Sequence, residues 1–359
     1  VRTKGFLGYP YGIIGYTQYL FPPLVRFSSL TGIWGISFLV VFPSALIGFF
    51  LRYGLANCLK RLRKDVKKEK WIILGYFSLF AAVLVYGNAS KVDVSVLETW
   101  KVSLVQQNID PWQGGLKTYR ESLTRLKRLS QKASKESPEI IIWSETSFVP
   151  AIDWHTRYRT DPLVYELVKE LKDFLAGEPI PYVIGNDEGI LVYDENMNSR
   201  RIDYNATILY ENGKPEGVYR KTHLVPFTEH FPYRKQLPWL YDLLEKSDTH
   251  FWEKGKEYTV FESGGVKFST PICFEDTFGY LSREFVRSGA DVIVNMTNDS
   301  WSGSVAAEVQ HMMHAVFRAA ENRRSVVRST NGGITCIIDP NGRIISRIEP
   351  FKEDYLTGL

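Results

Sequence analysis

The sequence predicts a layered α/β domain attached to transmembrane helices. Three observations predict it. Two charge-free apolar runs stand near the start, Thr31 to Leu51 and Trp71 to Ala89. From Trp100 onward, short β-type runs alternate with stretches of helical period. Three of the β-type runs end in residues that can do chemistry together: Glu145, Lys221 and Cys273.

The apolar fraction of 44% and aromatic fraction of 14% suit a large core and argue against a chain dominated by disorder. The net charge of +4 is too small to argue for nucleic acid. Cys58, Cys273 and Cys336 are widely spaced, which gives neither a disulfide framework nor a zinc pattern. The chain starts at Val1 without Met or a signal-peptide pattern and stops at DYLTGL, so we expect a segment of a longer chain.

Each apolar run has the roughly 20 residues that a spanning helix needs. Pro43 inside the first is tolerable there. Between them, residues 52–70 hold eight Lys or Arg against Asp65 and Glu69. A short loop this basic stays in the cytoplasm. The expected division is therefore a periplasmic interfacial segment (1–28), two transmembrane helices with a basic cytoplasmic loop 52–70 (29–89), and a periplasmic domain (90–359). In the first segment, YPYGIIGYTQYLFPPLV suits the headgroup level of a bilayer.

In the outer domain, KVSLVQQN reads as a strand. Leu116, Tyr119, Leu123, Leu126 and Leu129 have helical spacing. EIIIWSE is a buried strand, DPLVYELVKELKDFLAG a helix, and PYVIGND a strand. Hairpins turn at Asn212-Gly213 and Gly264-Gly265. Helix 277–288, strand ADVIVNMTN, helix 305–322, strand RSVVRST and a last hairpin, ITCIIDPNGRIISRI, complete the order.

Cys273 lies between a β-type run and a helix start, where a thiol is exposed and its thiolate stabilised. Glu145 suits a base and Lys221 a cation for an oxyanion. His311 and His314, three apart on a helix, have no third metal ligand at suitable spacing, so a structural role is expected. Asn205-Ala206-Thr207 and Asn295-Met296-Thr297 fit a glycosylation pattern, but both fall in strand-like runs.

In the order WSET, YRKTHLVPFTEHFP and PICFED, the chain resembles the nitrilase superfamily of carbon–nitrogen hydrolases. With ADVIVNMTNDSWSG, HMMHAVFRAAENRRSVVRSTNGGIT, GYTQY and LTGIWGISFLVV, it resembles the apolipoprotein N-acyltransferases more narrowly. The resemblance implies a nitrilase-like αββα sandwich with a Glu145-Lys221-Cys273 triad on the periplasmic side of a bacterial inner membrane. It implies transfer of a phospholipid acyl chain, through a Cys273 thioester, to the α-amino group of a lipoprotein's diacylglyceryl-cysteine. Neither metal nor organic cofactor is needed. Glu229 and Glu275 match supporting glutamates of the family. Phe274 stands where the family often has Tyr, and Tyr11 where it often has Trp. Trp112, Asn298 and Trp301 are expected near the pocket, and Phe148, Trp154 and the segment Tyr233–Tyr241 are candidates for guiding acyl chains. A membrane-tethered nitrilase-like amidase is the alternative.

Overall fold

Alternation along the strands decides the architecture. In Val102–Gln106, Val102 and Leu104 face one core while Val105 faces another. In Ile140–Trp143, Ile140 and Ile142 face the first and Ile141 and Trp143 the second. A strand buried on both faces must lie between a second sheet and a helix layer. The computed structural model describes residues 8–52, 55–110, 113–193, 197–246 and 250–359, without the side chains of 55–69.

In chain order the elements are α1 (Pro22–Leu51), α2 (Leu55–Ala89), β1 (Val102–Gln106), α3 (Leu116–Ser134), β2 (Ile140–Trp143), α4 (Ile152–Tyr158), α5 (Pro162–Gly177), β3 (Tyr182–Tyr193), β4 (Ser199–Glu211) and β5 (Lys214–Arg220). There follow α6 (Pro238–Lys246), β6 (Val260–Ser263), β7 (Val266–Ser269), α7 (Gly279–Arg287), β8 (Val292–Thr297), α8 (Val305–Asn322), β9 (Ser325–Thr330), β10 (Cys336–Ile338), β11 (Ile344–Arg347) and β12 (Asp354–Gly358). One sheet has the order β12-β1-β2-β3-β4-β5 and the other β11-β10-β9-β8-β7-β6. Strands β1, β2 and β3 run parallel, as do β7, β8 and β9. Helices α3 and α5 cover the first sheet, α7 and α8 pack on the second, and an apolar core fills the space between sheets. This is the expected αββα sandwich. The sequence did not reveal α4, α6, the extension of β3 and β4 into one long hairpin, or β12, which pairs antiparallel with β1.

Among the described residues, two helices are long and apolar enough to cross a membrane: α1, and α2 from Lys70 onward. Leu24, Leu39 and Val83 form their shared contact. A Cβ on Gly87 would lie 2.1 Å from the Pro23 carbonyl oxygen, so only glycine permits this close approach. One expectation is corrected here. The basic stretch 52–70 is not a loop for most of its length, because α2 begins at Leu55. The segment before α1 packs on the α/β domain. Ile13 and Tyr16 are buried together with Val25, Ile33 and Ile36 of α1 against Met312, Ala315 and Val316 of α8.

Candidate active site

The polar residues singled out in the sequence stand just past the carboxyl ends of strands from both sheets. Glu145 follows β2 by two residues. A Cβ on Gly185 of neighbouring β3 would lie 2.3 Å from the Ser144 oxygen and 2.6 Å from the Glu145 Cα. Asn186 fixes the next turn, donating to the Phe148 and Pro150 carbonyls at 2.6 and 3.0 Å. Gly185→Ala is therefore expected to push the Glu145 turn outward and lower turnover about 100-fold, the scale of an ångström-sized displacement. Activity near wild type in a folded variant would show that the turn tolerates the shift.

The Glu145 carboxylate is buried and fully engaged. It accepts from Asn205 Nδ2 at 2.8 Å, from the Asn298 N–H at 2.9 Å and from Lys221 Nζ at 3.3 Å. Lys221 follows β5, and its side chain is wholly buried. Its Nζ donates to Glu229 Oε1 at 2.7 Å, while Glu229 Oε2 accepts the Val225 N–H at 2.9 Å. Burial alone would lower the Lys221 pKa; Glu229 and Glu145 reverse this and hold it well above the ordinary lysine value. A buried ammonium between two carboxylates is thus kept cationic.

Cys273 opens a 3-10 turn, Cys273–Thr277, four residues past β7. Its φ of 49° lies in the left-handed region, a strained conformation for a side-chain-bearing residue. Ile272 bridges Met296 of β8, and Asn295 Nδ2 donates to the Pro271 carbonyl at 3.2 Å, so the turn is pinned to β8. Burial pushes the thiol pKa well above its usual value, Glu145 adds to the rise, and Lys221 opposes it. The expected stabilised thiolate is therefore corrected to a neutral resting thiol. Helix α7 starts only at Gly279, and a helix field fades within its first turn.

Glu275 and Asp276 lock this turn from two sides. The fully buried Glu275 carboxylate accepts the N–H groups of Ile272 (2.8 Å), Thr222 (2.8 Å) and His223 (2.9 Å), and the Tyr219 hydroxyl at 2.8 Å. It ties the loop carrying Lys221 to the turn carrying Cys273. Phe274 packs against Phe278 and His223 and stacks on Tyr11 at 6.1 Å between ring centres. Asp276 Oδ2 accepts from Arg328 at 2.8 Å, and Asp299 Oδ2 accepts from the same guanidinium at 2.6 Å. His311 closes the ring, 2.8 Å from Asp299 Oδ1 and 3.0 Å from Asp276 Oδ1.

Burial disfavours charge on His311, but Asp299 and Asp276 outweigh it and raise its pKa from 6.5 to about 9. Stability from a raised pKa is complete below the unfolded value and is lost as pH rises through the folded one. The window runs from pH 6.5 to about 9, and the contribution is on the order of 3 kcal/mol. The thermal midpoint should fall across that window, and His311→Gln should flatten the fall. A wild-type midpoint that stays level there would place the proton elsewhere.

The remaining candidates divide. Asn298 meets Glu145 through its backbone, and its side-chain oxygen accepts from Ser300 and Asn331. Trp301 is on the surface, 59% exposed. Trp112 lies outside the described residues. Phe148 is a core side chain, and Trp154 is buried beside Tyr158 and Arg201. Tyr241 is buried beside Phe231 and Phe251, whereas Trp239 is exposed. Asn205 and Asn295 are buried in strands, which removes them as glycan acceptors. Sequence reasoning missed Asn205 as a partner of Glu145, and it gave neither Asp276 nor Arg328 a role in the site. The run of polar residues Glu275-Asp276 after an apolar strand was the one available signal.

Residues 101–358 match the carbon–nitrogen hydrolase family, and residues 1–46 match the apolipoprotein N-acyltransferase N-terminal domain. An apolipoprotein N-acyltransferase of Treponema denticola is 46% identical over 99% of this chain and 68% of its own length. One from Treponema pallidum is 42% identical over 99% of this chain and 67% of its own. A solved amidase of the nitrilase superfamily from Nesterenkonia superposes with a TM-score of 0.50 at 14% identity, over 72% of this chain and 89% of that one, which supports the fold alone. With relatives this similar over nearly its whole length and both family models matched, the chain belongs to the apolipoprotein N-acyltransferase family of carbon–nitrogen hydrolases.

Proposed function

We propose that Cys273 is the nucleophile of an acyltransferase of lipoprotein maturation, with Glu145 as the proton carrier and Lys221 as the oxyanion's partner. The observation that carries this reading is the wholly buried Lys221 ammonium, bonded to Glu145 and Glu229 and close enough to Cys273 to oppose the rise in its pKa. Cys273 Sγ attacks the ester carbonyl of a phospholipid while Glu145 takes the thiol proton. The carbonyl oxygen becomes an oxyanion beside Lys221. Its collapse breaks the ester C–O bond, and Glu145 returns the proton to the departing lysophospholipid. The α-amine of a diacylglyceryl-cysteine then attacks the thioester, Glu145 takes the amine proton, and the Cys273 thiolate leaves and is reprotonated.

Glu229 steadies Lys221, Glu275 holds the two loops together, and Phe274 walls the thiol. Asn298 supplies a backbone N–H that orients Glu145, and Trp301 is assigned to the substrate-facing surface. Helices α1 and α2 cross the membrane, with the basic stretch 52–70 on the cytoplasmic side and the sandwich on the outer side. Exposed Phe227, Trp239 and Leu243, in the segment after Lys221, suit a surface that meets lipid.

Intact mass spectrometry of the full chain in phospholipid vesicles tests this. An acyl-sized gain on Cys273, discharged by a diacylglyceryl peptide with a free amine, is the expected result. A folded protein that takes up no acyl group, or whose adduct only water discharges, would sink the reading.

A further inference from the structure

A kink in the first membrane helix reaches the nucleophile's turn through one buried ion pair. Helix α1 breaks at Gly32, where φ is 60° and ψ −165°, a conformation that essentially only glycine adopts. Facing the break is Glu321 of α8: its Oε1 lies 3.9 Å from where a Cβ would stand on Gly32. Burial raises the Glu321 pKa, while Arg318 and the backbone amide of Ile33, just past the break, stabilise its ionised form. Its Oε2 lies 2.8 Å from Arg318 NH2, one helical turn back.

Arg318 is wholly buried, and it points at the site. NH1 donates to the carbonyls of Asp276 and Thr277, both at 3.2 Å, the closing residues of the turn that Cys273 opens. NH2 also donates to the Tyr16 hydroxyl at 3.2 Å. The fit leaves no slack at the start of α7. A Cβ on Gly279 would stand 3.0 Å from Glu321 Oε2 and 3.2 Å from Arg318 Cζ. Desolvating a guanidinium and a carboxylate here is costly, and hydrophobic side chains of similar size could have filled the same space. What they could not do is join Tyr16, the Ile33 amide and two carbonyls of a strained turn.

We infer that Arg318 and Glu321 act as a strut that transmits the seating of α1 at Gly32 to the Cys273 turn, and so are positioning residues for acylation. This rests on Cys273 being the acylated nucleophile. Seating of the membrane helix then sets the angle of the thiol, so the sandwich is competent only when docked on its own span. The pair touches neither substrate nor thiol.

The test uses the full chain in vesicles of phosphatidylethanolamine and phosphatidylglycerol, with Glu321→Gln, Gly32→Ala and the double variant. Three readouts are taken: single-turnover acylation of Cys273, its alkylation by iodoacetamide, and the thermal midpoint. Each single variant should slow both Cys273 reactions about tenfold, with half-saturation by lipid unchanged. The double variant should be no slower than the worse single, because both cut one connection. A merely structural pair would lower the midpoint and leave both rates per folded molecule intact, which overturns the strut; so would losses that multiply in the double variant. If the wild type takes up no acyl group, the nucleophile reading fails, and the alkylation rates alone still decide for or against the strut.

Discussion

Cys273→Ala is expected to abolish acyl-enzyme formation and acyl transfer together, a loss of at least about 10⁴-fold. No other described thiol can substitute. Cys336 is buried in β10, where burial pushes its pKa up to about 12. Cys336→Ala is expected to leave the acyl-enzyme rate per folded molecule unchanged. Cys273→Ser separates two ideas about the thiol. Were a preformed thiolate the reactive species, serine would be inert, since nothing here would ionise a hydroxyl. The neutral resting thiol instead needs Glu145 during attack, and a serine at the same φ presents its proton to the same base. A slow but measurable oxygen-ester adduct on Ser is therefore expected, together with failure of the amine to discharge it. Intact mass spectrometry reads both. Full transfer activity in Cys273→Ala would end the proposed mechanism.

Much of the sandwich was legible because its cues are local. Asn212-Gly213 and Gly264-Gly265 take positive φ at all four positions, which is why those dipeptides mark two-residue hairpins. Helix 305–322 was readable to the residue from its period. The far half of β3 and the start of β4 were not. Their polar residues gain strand form only from each other, as in the pairs Asp187↔Asn205 and Gly189↔Asp203. The helical start of α2 was available and overlooked. Leu55, Leu59, Leu62 and Val66 keep helical spacing beneath the charge that drew attention to a loop.

The site divides in the same way. Glu145, Lys221 and Cys273 each stand within four residues of a strand's end, so each could be seen singly. Their partners could not. Arg328 sits mid-strand in β9 and looks like the exposed residue of an alternating pattern, yet it is wholly buried. Its value comes from Asp276 and Asp299, which arrive from the nucleophile's turn and the end of β8. No local rule pairs residues 52 positions apart.

Arg328→Leu is expected to cost 3–5 kcal/mol or more, because removing one partner strands a buried charge. The ring holds two carboxylates, one guanidinium and a protonated His311, so its formal charge is zero. Arg328→Leu leaves one negative charge in excess, and Asn295 Oδ1 loses its donor as well. Against a total stability of about 5–15 kcal/mol, little folded protein should accumulate. The sign of the defect makes this testable beyond simple unfolding. Adding Asp299→Asn restores neutrality, with Asp276 facing His311, so the double variant should melt higher than Arg328→Leu alone. The opposite defect, Asp299→Asn by itself, leaves one positive charge in excess. His311 can discard that by losing its proton, so Asp299→Asn should cost less than Arg328→Leu. Lowering the pH should narrow the gap between Arg328→Leu and wild type, since protonating a carboxyl removes the stranded charge. Thermal midpoints of the three variants at two pH values decide the matter. If Asp299→Asn deepens the loss of Arg328→Leu, the ring is not balanced by charge, and hydrogen-bond geometry alone would have to explain why the turn beside Cys273 and the strand end beside Glu145 share one arginine.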